Sequence, residues 1–466
     1  MRCMIAGALA LNVALSAGAL AQDWTNNGGN AGRNGQTIQL GPDAATQLWS
    51  GGRTSVIAWQ PVIEGSRVFM VRQTGFPPEP NSDKSPVVCM NLDTGQEIWS
   101  RNIPYLANDW TTWVAGVSNG KVFVSRSGNG ASVKAKLHAL DAATGATLWS
   151  SVDLIDAGPY DGVVFAPNGD PVVASFTKIW RINAGNGATL WTANRVGSVS
   201  GNCGGAIHAG AIYVADAVPG GHAIKKFNLS TGAFMYQSPT LAGFTIQNTP
   251  MVAPDGTIYL SRVQNNVSVD FFYAIDDNGT SMSVRWSVPA HWTTESEFAV
   301  ASDGSVFMMD PGNKIARRRA SDGSLIAQSP AIPADFSQPR MAVDSNDRLF
   351  FSNGAFANGR FYSFNPDLTE RWSVGVTNIN IGAPAFGRDG TLVVAGTGAN
   401  IKAYRTPRCL ADFNHDGFVN GDDYDAFAEV FDIADPAADL NHDGFVNGDD
   451  YDLFADLFAE HFDAGC

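Results

Sequence analysis

A tag of roughly eight to ten residues recurs along most of this chain at intervals of roughly 41–50 residues. Each tag is a short alternating strand, an Asp or Asn turn with glycine, and a second strand that ends in an aromatic residue, which is the pattern of a β-hairpin. The clearest copies are Leu92-Asp-Thr-Gly-Gln-Glu-Ile-Trp99, Leu140-Asp-Ala-Ala-Thr-Gly-Ala-Thr-Leu-Trp149 and Ile182-Asn-Ala-Gly-Asn-Gly-Ala-Thr-Leu-Trp191. Looser copies end at Tyr236, Trp286, Ala327 and Trp372, and a half-copy ends at Leu48-Trp49.

A second hairpin precedes the tag in most repeats, as in Val252-Ala-Pro-Asp-Gly-Thr-Ile-Tyr-Leu260. Two hairpins give four strands per repeat, which is the content and the length of one β-propeller blade. Three strands follow the last full tag, around Pro384, 392–394 and 401–404, and the half-copy at 46–49 supplies the missing fourth. The sequence therefore predicts an all-β propeller of eight four-stranded blades, closed by an N-terminal strand. A seven-bladed ring would require the weak tag at Ala327 to be spurious.

These tags resemble the repeats of pyrroloquinoline-quinone (PQQ) type propellers, whose signature is Leu-Asp-Ala-x-Thr-Gly-x-x-Leu-Trp. The opening Trp24-Thr-Asn-Asn-Gly-Gly-Asn-Ala-Gly-Arg33 is similar to the segment before the first blade of such proteins. The resemblance covers residues 22–407, and it implies the fold more than the chemistry. Catalytic members hold the quinone against a disulfide of adjacent cysteines, whereas the cysteines here are Cys3, Cys89, Cys203, Cys409 and Cys466. No PQQ is therefore expected, and a non-catalytic propeller is favoured over a quinoprotein dehydrogenase.

Two twelve-residue segments near the C-terminus are near copies: Asp412-Phe-Asn-His-Asp-Gly-Phe-Val-Asn-Gly-Asp-Asp423 and Asp439-Leu-Asn-His-Asp-Gly-Phe-Val-Asn-Gly-Asp-Asp450. Each places oxygen-bearing side chains at loop positions 1, 3, 5, 9 and 12 and glycine at position 6, where a calcium loop bends sharply. Position 7 would offer a backbone carbonyl. The predicted ligands of two Ca²⁺ ions are therefore Asp412, Asn414, Asp416, Phe418, Asn420 and Asp423, and Asp439, Asn441, Asp443, Phe445, Asn447 and Asp450.

Each loop runs into one amphipathic helix, because Tyr424, Phe427, Val430 and Phe431 recur at helical spacing and the second copy repeats them. No helix precedes either loop, so the unit is loop–helix twice. This pattern, with Asp at position 12, resembles type I dockerin modules from Cys409 to Cys466. The resemblance implies a small α-helical calcium module that docks onto a cohesin-like partner. Family recognition positions 10 and 11 fall on Gly421 and Asp422, and on Gly448 and Asp449.

Cys409 and Cys466 bracket this module. A disulfide between them would join the ends of a unit that is marginal in size and would benefit from both a metal and a covalent link. Two unpaired thiols remain the alternative. The pairing of Cys89 and Cys203 in the propeller is left open by the sequence.

Negative charge is concentrated in the same segment. From Cys409 onward the chain has 16 Asp or Glu and no Lys or Arg, whereas its whole net charge is −15. The rest of the chain is thus close to neutral, and the acidic tail is aromatic and periodic. We interpret this acidity as directed at a metal, since without a cation its self-repulsion would destabilise a compact unit.

Residues 1–21 have the pattern of a signal peptide, with an apolar run and an Ala19-Leu20-Ala21 cleavage site. No later stretch is apolar enough to span a bilayer. The protein is therefore expected to be secreted, in the extracellular space or at a cell surface, where calcium and disulfides are both available. Export makes nucleic acid an implausible partner.

Taken together, the sequence predicts three parts: a signal peptide (1–21), a propeller (22–407) and a docking module (408–466). The favoured function is a secreted, non-catalytic scaffold that binds an unknown protein or glycan and is tethered through a cohesin-like partner. Dockerins elsewhere are appended to polysaccharide-degrading enzymes, so a component of extracellular polysaccharide breakdown is the alternative. No catalytic residue is identified.

Overall fold

The computed structural model describes residues 23–74, 86–103, 111–127, 134–156, 163–197, 204–241, 249–262, 270–291, 298–332, 340–355, 357–379, 382–406, 409–414, 418–441 and 444–462. The chain divides into two compact units, Met1–Arg405 and Thr406–Cys466. The predicted signal peptide lies outside the described residues.

The first unit is an eight-bladed β-propeller, as predicted. Its described residues form eight four-stranded antiparallel sheets. The first strand is β1 (Gln47–Gly51), and blades one to seven follow it in chain order. Blade one contains β2 (Val62–Glu64), β3 (Arg67–Val71), β4 (Val87–Asn91) and β5 (Glu97–Arg101). Blade two contains β6 (Thr111–Ser118), β7 (Lys121–Ser127), β9 (His138–Asp141) and β10 (Thr147–Ser150), with a small extra sheet of β8 (Lys134–Ala135) and β11 (Ile155–Asp156).

The remaining blades follow the same order from the innermost strand outward. Blade three contains β12 (Val164–Phe165), β13 (Pro171–Ala174), β14 (Lys178–Ile182) and β15 (Thr189–Asn194). Blade four contains β16 (Gly205–His208), β17 (Ala211–Val218), β18 (Gly221–Asn228) and β19 (Phe234–Gln237). Blade five contains β20 (Met251–Val252), β21 (Ile258–Arg262), β22 (Asp270–Asp277) and β23 (Met282–Ala290).

Blades six to eight complete the ring. Blade six contains β24 (Ala299–Val300), β25 (Val306–Asp310), β26 (Lys314–Arg318) and β27 (Leu325–Gln328). Blade seven contains β28 (Arg340–Val343), β29 (Leu349–Ser352), β30 (Arg360–Phe364) and β31 (Glu370–Gly375). Blade eight contains β32 (Ala385–Phe386), β33 (Leu392–Ala395) and β34 (Ile401–Tyr404), with a 3₁₀ turn at Arg388–Gly390. Its outer strand is β1, antiparallel to β34, so the predicted N-terminal closure is confirmed. The weak tag at Ala327 belongs to β27, and the seven-bladed alternative is wrong.

The residue before each tag aromatic is a β-bulge. In blade one, Trp99 lies opposite Cys89 and Glu97 opposite Met90, so Ile98 is the extra residue of the outer strand. The same shift occurs in the outer hairpin of all eight blades. A bulge leaves one residue unpaired and increases the local twist. In blade one it therefore explains why Ile98 is 46% exposed while Trp99, the next residue, is 7% exposed.

The tag tryptophans join neighbouring blades. The indole Nε1 of Trp99 donates a hydrogen bond to the carbonyl oxygen of Ala142 in the next blade (3.0 Å). Five other tryptophans make the same bond one blade on: Trp49 to Leu92, Trp149 to Ala184, Trp191 to Leu229, Trp286 to Ala320 and Trp372 to Pro42. Because these indole N–H groups are bonded to neighbouring backbone carbonyls, the tag tryptophans are core residues rather than a ligand site.

The second unit contains two short helices, α1 (Gly421–Asp432) and α2 (Gly448–His461), and a 3₁₀ turn at Pro436–Ala438. Phe427 and Phe454 are fully buried between the helices and stack with ring centroids 4.1 Å apart. Tyr424 at the start of α1 contacts Phe458 near the end of α2, and Phe431 contacts Tyr451 in the reverse sense. The helices therefore run antiparallel and share one small core.

Candidate calcium-binding and docking site

Both helices of the second unit begin with a capping box that uses the predicted loop residues. The side-chain oxygen of Asn420, at loop position 9, accepts the backbone N–H of Asp422 (2.8 Å). The Asp423 carboxylate, at position 12, accepts the backbone N–H of Asn420 (2.9 Å). Asn447 and Asp450 repeat both contacts in the second copy. Positions 9 and 12 thus fasten the end of each loop to the first turn of its helix.

Asp423 and Asp450 also hold the beginning of each loop. The second carboxylate oxygen of Asp423 accepts the backbone N–H of Asn414 (3.0 Å). The equivalent oxygen of Asp450 accepts the N–H groups of Leu440 (2.8 Å) and Asn441 (3.1 Å). Both carboxyl side chains belong to residues with no exposed surface. One buried carboxylate therefore ties position 3 to position 9 in each copy, and so draws the loop into a closed turn.

The other predicted ligands lie in the same two loops. One Asp439 oxygen accepts the backbone N–H of Gly444 (2.9 Å), which joins positions 1 and 6. Gly444 has φ +93°, a conformation that favours glycine. Phe418 and Phe445 point their rings to solvent, with 68% and 71% exposed, so only their backbone carbonyls could face an ion. Asp416 and Asp443, at position 5, lie outside the described residues.

The donor set of these loops fits a hard cation. Every predicted ligand is a carboxylate, an amide or a backbone carbonyl, and Ca²⁺ binds about six to eight oxygens of these types. A carboxylate oxygen that accepts one backbone N–H retains lone pairs for a metal. Among the described residues there is no cluster of three or more His, Cys, Asp or Glu placed to hold a metal. One acidic ligand of each loop, Asp416 or Asp443, lies outside the described residues. The assignment of calcium therefore stays a prediction.

The predicted partner-binding residues are accessible. Gly421, Asp422, Gly448 and Asp449 are all exposed and lie in the first turns of α1 and α2. Between these two turns, the hydroxyl groups of Tyr424 and Tyr451 are 2.9 Å apart. The helical spacing in the sequence identifies both tyrosines as helix residues but does not pair them. Tyr424 and Tyr451 occupy the same position in the two sequence copies, and this equivalence was the signal that could have predicted their contact.

The cysteines divide between the two units. Cys409 is disulfide-bonded, and its predicted partner, Cys466, lies outside the described residues. Cys89 is a free thiol in β4, fully buried, and burial raises its pKa to about 12. Such a thiol is not a nucleophile at neutral pH. Cys203 lies outside the described residues, so its pairing stays open.

The basic cluster Arg317-Arg-Arg319 differs from the environment that its sequence suggests. Strand alternation favours a solvated edge for these arginines, but only Arg319 is exposed. Arg317 is 8% exposed and donates to the Ser305 hydroxyl (2.7 Å), and Arg318 forms a 2.6 Å ion pair with Asp310. The expectation of a solvated edge is therefore wrong for Arg317 and Arg318, because the Ser305 hydroxyl and the Asp310 carboxylate accept hydrogen bonds from them.

No helix among the described residues is long and apolar enough to cross a lipid bilayer.

Comparison with known proteins identifies the propeller. A family model described as outer membrane protein assembly factor BamB (PQQ_2) matches residues 83–326. No curated protein matches the chain in sequence.

Several solved structures share the fold. BamB from Moraxella catarrhalis is 15% identical, with a TM-score of 0.52, over 78% of this chain and 98% of that chain. Quinohemoprotein alcohol dehydrogenase from Comamonas testosteroni is 14% identical, with a TM-score of 0.54, over 83% of this chain and 82% of that chain. The C-terminal WD40 domain of Sif2 is 10% identical, with a TM-score of 0.53, over 78% of this chain and 99% of that chain. At these identities the likeness concerns the fold alone.

Proposed function

The chain belongs to the family of PQQ-like β-propellers described as outer membrane protein assembly factor BamB, and from that premise we propose that it is an exported, non-catalytic binding scaffold. Its propeller presents a surface to a protein or glycan. Its C-terminal unit attaches the propeller, in a calcium-dependent way, to a cohesin-like protein or cell-surface complex.

The scaffold role is supported by how the propeller uses its tag residues. The tryptophans that define the repeats bond to the next blade, so they stabilise the ring. The BamB structure of Moraxella catarrhalis is matched over 98% of its length by only 78% of this chain. A BamB-like propeller thus accounts for most of this chain. A protein named as an assembly factor works through contacts with other proteins, and we extend that mode of action to this propeller.

The single observation that carries the attachment role is the arrangement of Asp423 and Asp450. Each is a buried carboxylate that closes a loop of oxygen donors against the start of a helix, and the two copies repeat the arrangement. When bound, Ca²⁺ would neutralise part of the charge of a unit that holds 16 acidic and no basic residues from Cys409 onward. The protein's own contribution is to order the first turns of α1 and α2, where Gly421, Asp422, Gly448 and Asp449 meet solvent.

The likeness to a quinohemoprotein alcohol dehydrogenase does not lead us to propose that activity. The sequence contains no adjacent pair of cysteines. Cys89 is buried within blade one, with Trp99 opposite it on the neighbouring strand. A role in polysaccharide breakdown is supported only by the dockerin resemblance. Release of soluble sugars from a glycan would demonstrate that role.

The test is a capture experiment with the full-length mature protein. Immobilised protein is exposed to the secreted and surface proteins of its own source, once with Ca²⁺ and once with a chelator. We expect one partner that is retained with Ca²⁺ and released by the chelator, and no consumption of any glycan that the propeller retains. A partner that is retained equally with the chelator would contradict calcium-dependent attachment.

A further inference from the structure

The segment from Asp23 to Gly41 crosses the innermost strand of one blade after another. Its residues meet blades one to seven in chain order, mostly by accepting one backbone N–H from each blade. Ile63 donates to the Trp24 carbonyl (2.9 Å), Val117 to Thr25 (2.8 Å), Ile207 to Ala31 (2.7 Å), Val252 to Gly32 (2.8 Å), Val300 to Asn34 (3.0 Å) and Val343 to Gly35 (2.8 Å). In blade three the direction is reversed, and the Asn26 amide donates to the Val163 carbonyl (3.2 Å).

The segment contacts blade eight through the aromatic ring of Phe386 rather than through a backbone hydrogen bond. The Trp24 side chain is 2% exposed and lies 5.9 Å from the Phe386 ring. A β-carbon on Gly41 would come within 2.4 Å of the Phe350 ring and 3.0 Å of the Phe386 ring. The segment thus contacts all eight blades. Since innermost strands present a free edge to the centre of a propeller, the segment satisfies donors that those edges would otherwise leave without a protein partner.

Glycine is required where the segment lies against the strands. A β-carbon on Gly32 would be 2.6 Å from the Val252 carbonyl oxygen, although the backbone of Gly32 is not in the left-handed region. Gly35 has φ +70°, and its β-carbon would be 3.0 Å from the Ala299 side chain. At Gly32 a side chain is excluded only because the segment backbone lies close to the Val252 backbone. A substitution of Gly32 therefore tests the contact between the segment and blade five without adding strain in the backbone conformation.

Arg33 anchors the middle of the segment. It is 3% exposed and has φ +54°, a conformation that costs free energy in a residue other than glycine. Its Nε donates to the Gly205 carbonyl in blade four (2.8 Å), and its Nη1 donates to the Asn27 carbonyl within the segment (2.8 Å). These bonds fix the turn between the residues that meet blade three and those that meet blade four.

We propose that the innermost strands of the propeller form a peptide-binding site, that residues 23–41 occupy it in cis, and that their occupancy holds the ring closed. The ligand class is a Gly- and Asn-rich peptide that offers one backbone carbonyl to each of several blades and carries a central arginine. Recognition is spread over the ring, so the peptide couples blades that are far apart in the sequence. This role is separate from the attachment of the C-terminal unit.

The test uses the full-length mature protein with a protease site inserted after the exposed Ala44, before β1. The protein is folded first, cleaved, and passed over a sizing column. We expect the fragment that ends at Ala44 to stay with the propeller after cleavage. With Gly32→Ala in the same protein, we expect the fragment to dissociate at least about tenfold faster, because the added β-carbon would overpack against the Val252 carbonyl oxygen.

Gly375→Ala serves as the matched control. Gly375 is exposed at the end of β31, it is not in the left-handed region, as Gly32 is not, and a β-carbon there meets nothing within 4 Å. Its variant should release the fragment at the wild-type rate. Loss of the fragment from a propeller that then melts at an unchanged temperature would overturn the proposal. Equal dissociation rates for Gly32→Ala and the wild type would also overturn it, because the close approach to Val252 would then carry no binding energy.

Discussion

The rings of Phe427 and Phe454 stack with an interplanar angle of 11° and a centroid distance of 4.1 Å. They occupy the same position of the two sequence copies, so each copy supplies half of one core. Neither α1 nor α2 has another large fully buried hydrophobic side chain among the described residues. The second unit therefore depends on this pair more than on any other contact.

Phe427→Ala should unfold the second unit and leave the propeller folded. Truncation of a buried Phe costs about 3–5 kcal/mol, which is comparable to the total stability of a unit of this size. The measurement is two-transition thermal unfolding of the full chain. Phe418→Ala is the control, because that ring is 68% exposed and its removal should shift neither transition. A cooperative loss of both transitions in Phe427→Ala would show that the units do not fold independently.

Gly145→Ala should destabilise the propeller more than Gly120→Ala does. Both glycines have φ +70°, so both variants share the cost of a left-handed alanine. A β-carbon on Gly145 would also lie 2.7 Å from the Trp99 ring of the preceding blade, whereas at Gly120 nothing lies within 4 Å. We expect an additional loss of about 1–3 kcal/mol for Gly145→Ala, measured by denaturant unfolding. Equal losses would mean that the ring of Trp99 does not constrain this turn.

Acid should weaken the interface between blades four and five through Asp277. Burial alone would raise the pKa of Asp277, but hydrogen bonds from Lys226, Tyr236 and Tyr213 outweigh it and lower the pKa to about 2. The contacts are 2.5 Å from the Tyr236 hydroxyl and 2.7 Å from each of the other two donors. A pKa below its unfolded value means that the stabilisation is complete above pH about 4 and is lost as the pH falls from about 4 to 2.

The pH dependence of unfolding checks this assignment. In Asp277→Asn, the free energy of unfolding should fall less steeply between pH about 4 and 2 than in the wild type. Asp322→Asn is the comparison: its carboxylate is exposed, and hydrogen bonds from Ser324 in its own turn also lower its pKa, so it should flatten the acid slope less than Asp277→Asn does. An unchanged acid slope in Asp277→Asn would contradict the role given to this carboxylate.

Asp412→Ala combined with Asp439→Ala should abolish docking while the propeller melts at an unchanged temperature. These residues are at position 1 of the two loops, and their loss removes one charged oxygen ligand from each predicted ion. Asp425→Ala with Asp452→Ala removes the same charge from exposed helix positions and should dock normally. Capture with Ca²⁺ distinguishes the two double variants. If the variant that lacks Asp412 and Asp439 docked normally, partner binding would not depend on the two loops.

Sequence reasoning predicted the propeller because its signals are local. Turn residues, alternation within strands and the tag aromatics repeat in every blade, and the half-copy at Trp49 identified the closing strand. The bulge at Ile98 and its equivalents went unrecognised, since an extra residue shows only against its partner strand. The path of residues 23–41 past all blades also could not be predicted. Its partners are spread over most of the sequence, from Ile63 to Phe386.

The candidate site was predictable at the level of residue type. The spacing from Asp412 to Asp423 indicated a loop of oxygen donors, and its repetition indicated two. It did not indicate that Asp423 and Asp450 are buried and that each accepts N–H groups from both ends of its loop. Those contacts depend on how the loop folds back onto its helix. For Arg317, strand alternation predicted exposure, and the neighbouring strands decided otherwise.

Calcium titration of the full-length protein by calorimetry tests the central claim most directly. We expect two ions to bind per wild-type chain, one to Asp423→Asn, and none to the variant that combines Asp423→Asn with Asp450→Asn. An absence of calcium binding to the wild type, or two ions bound to the double variant, would contradict the assignment of the two loops and the attachment function built on it.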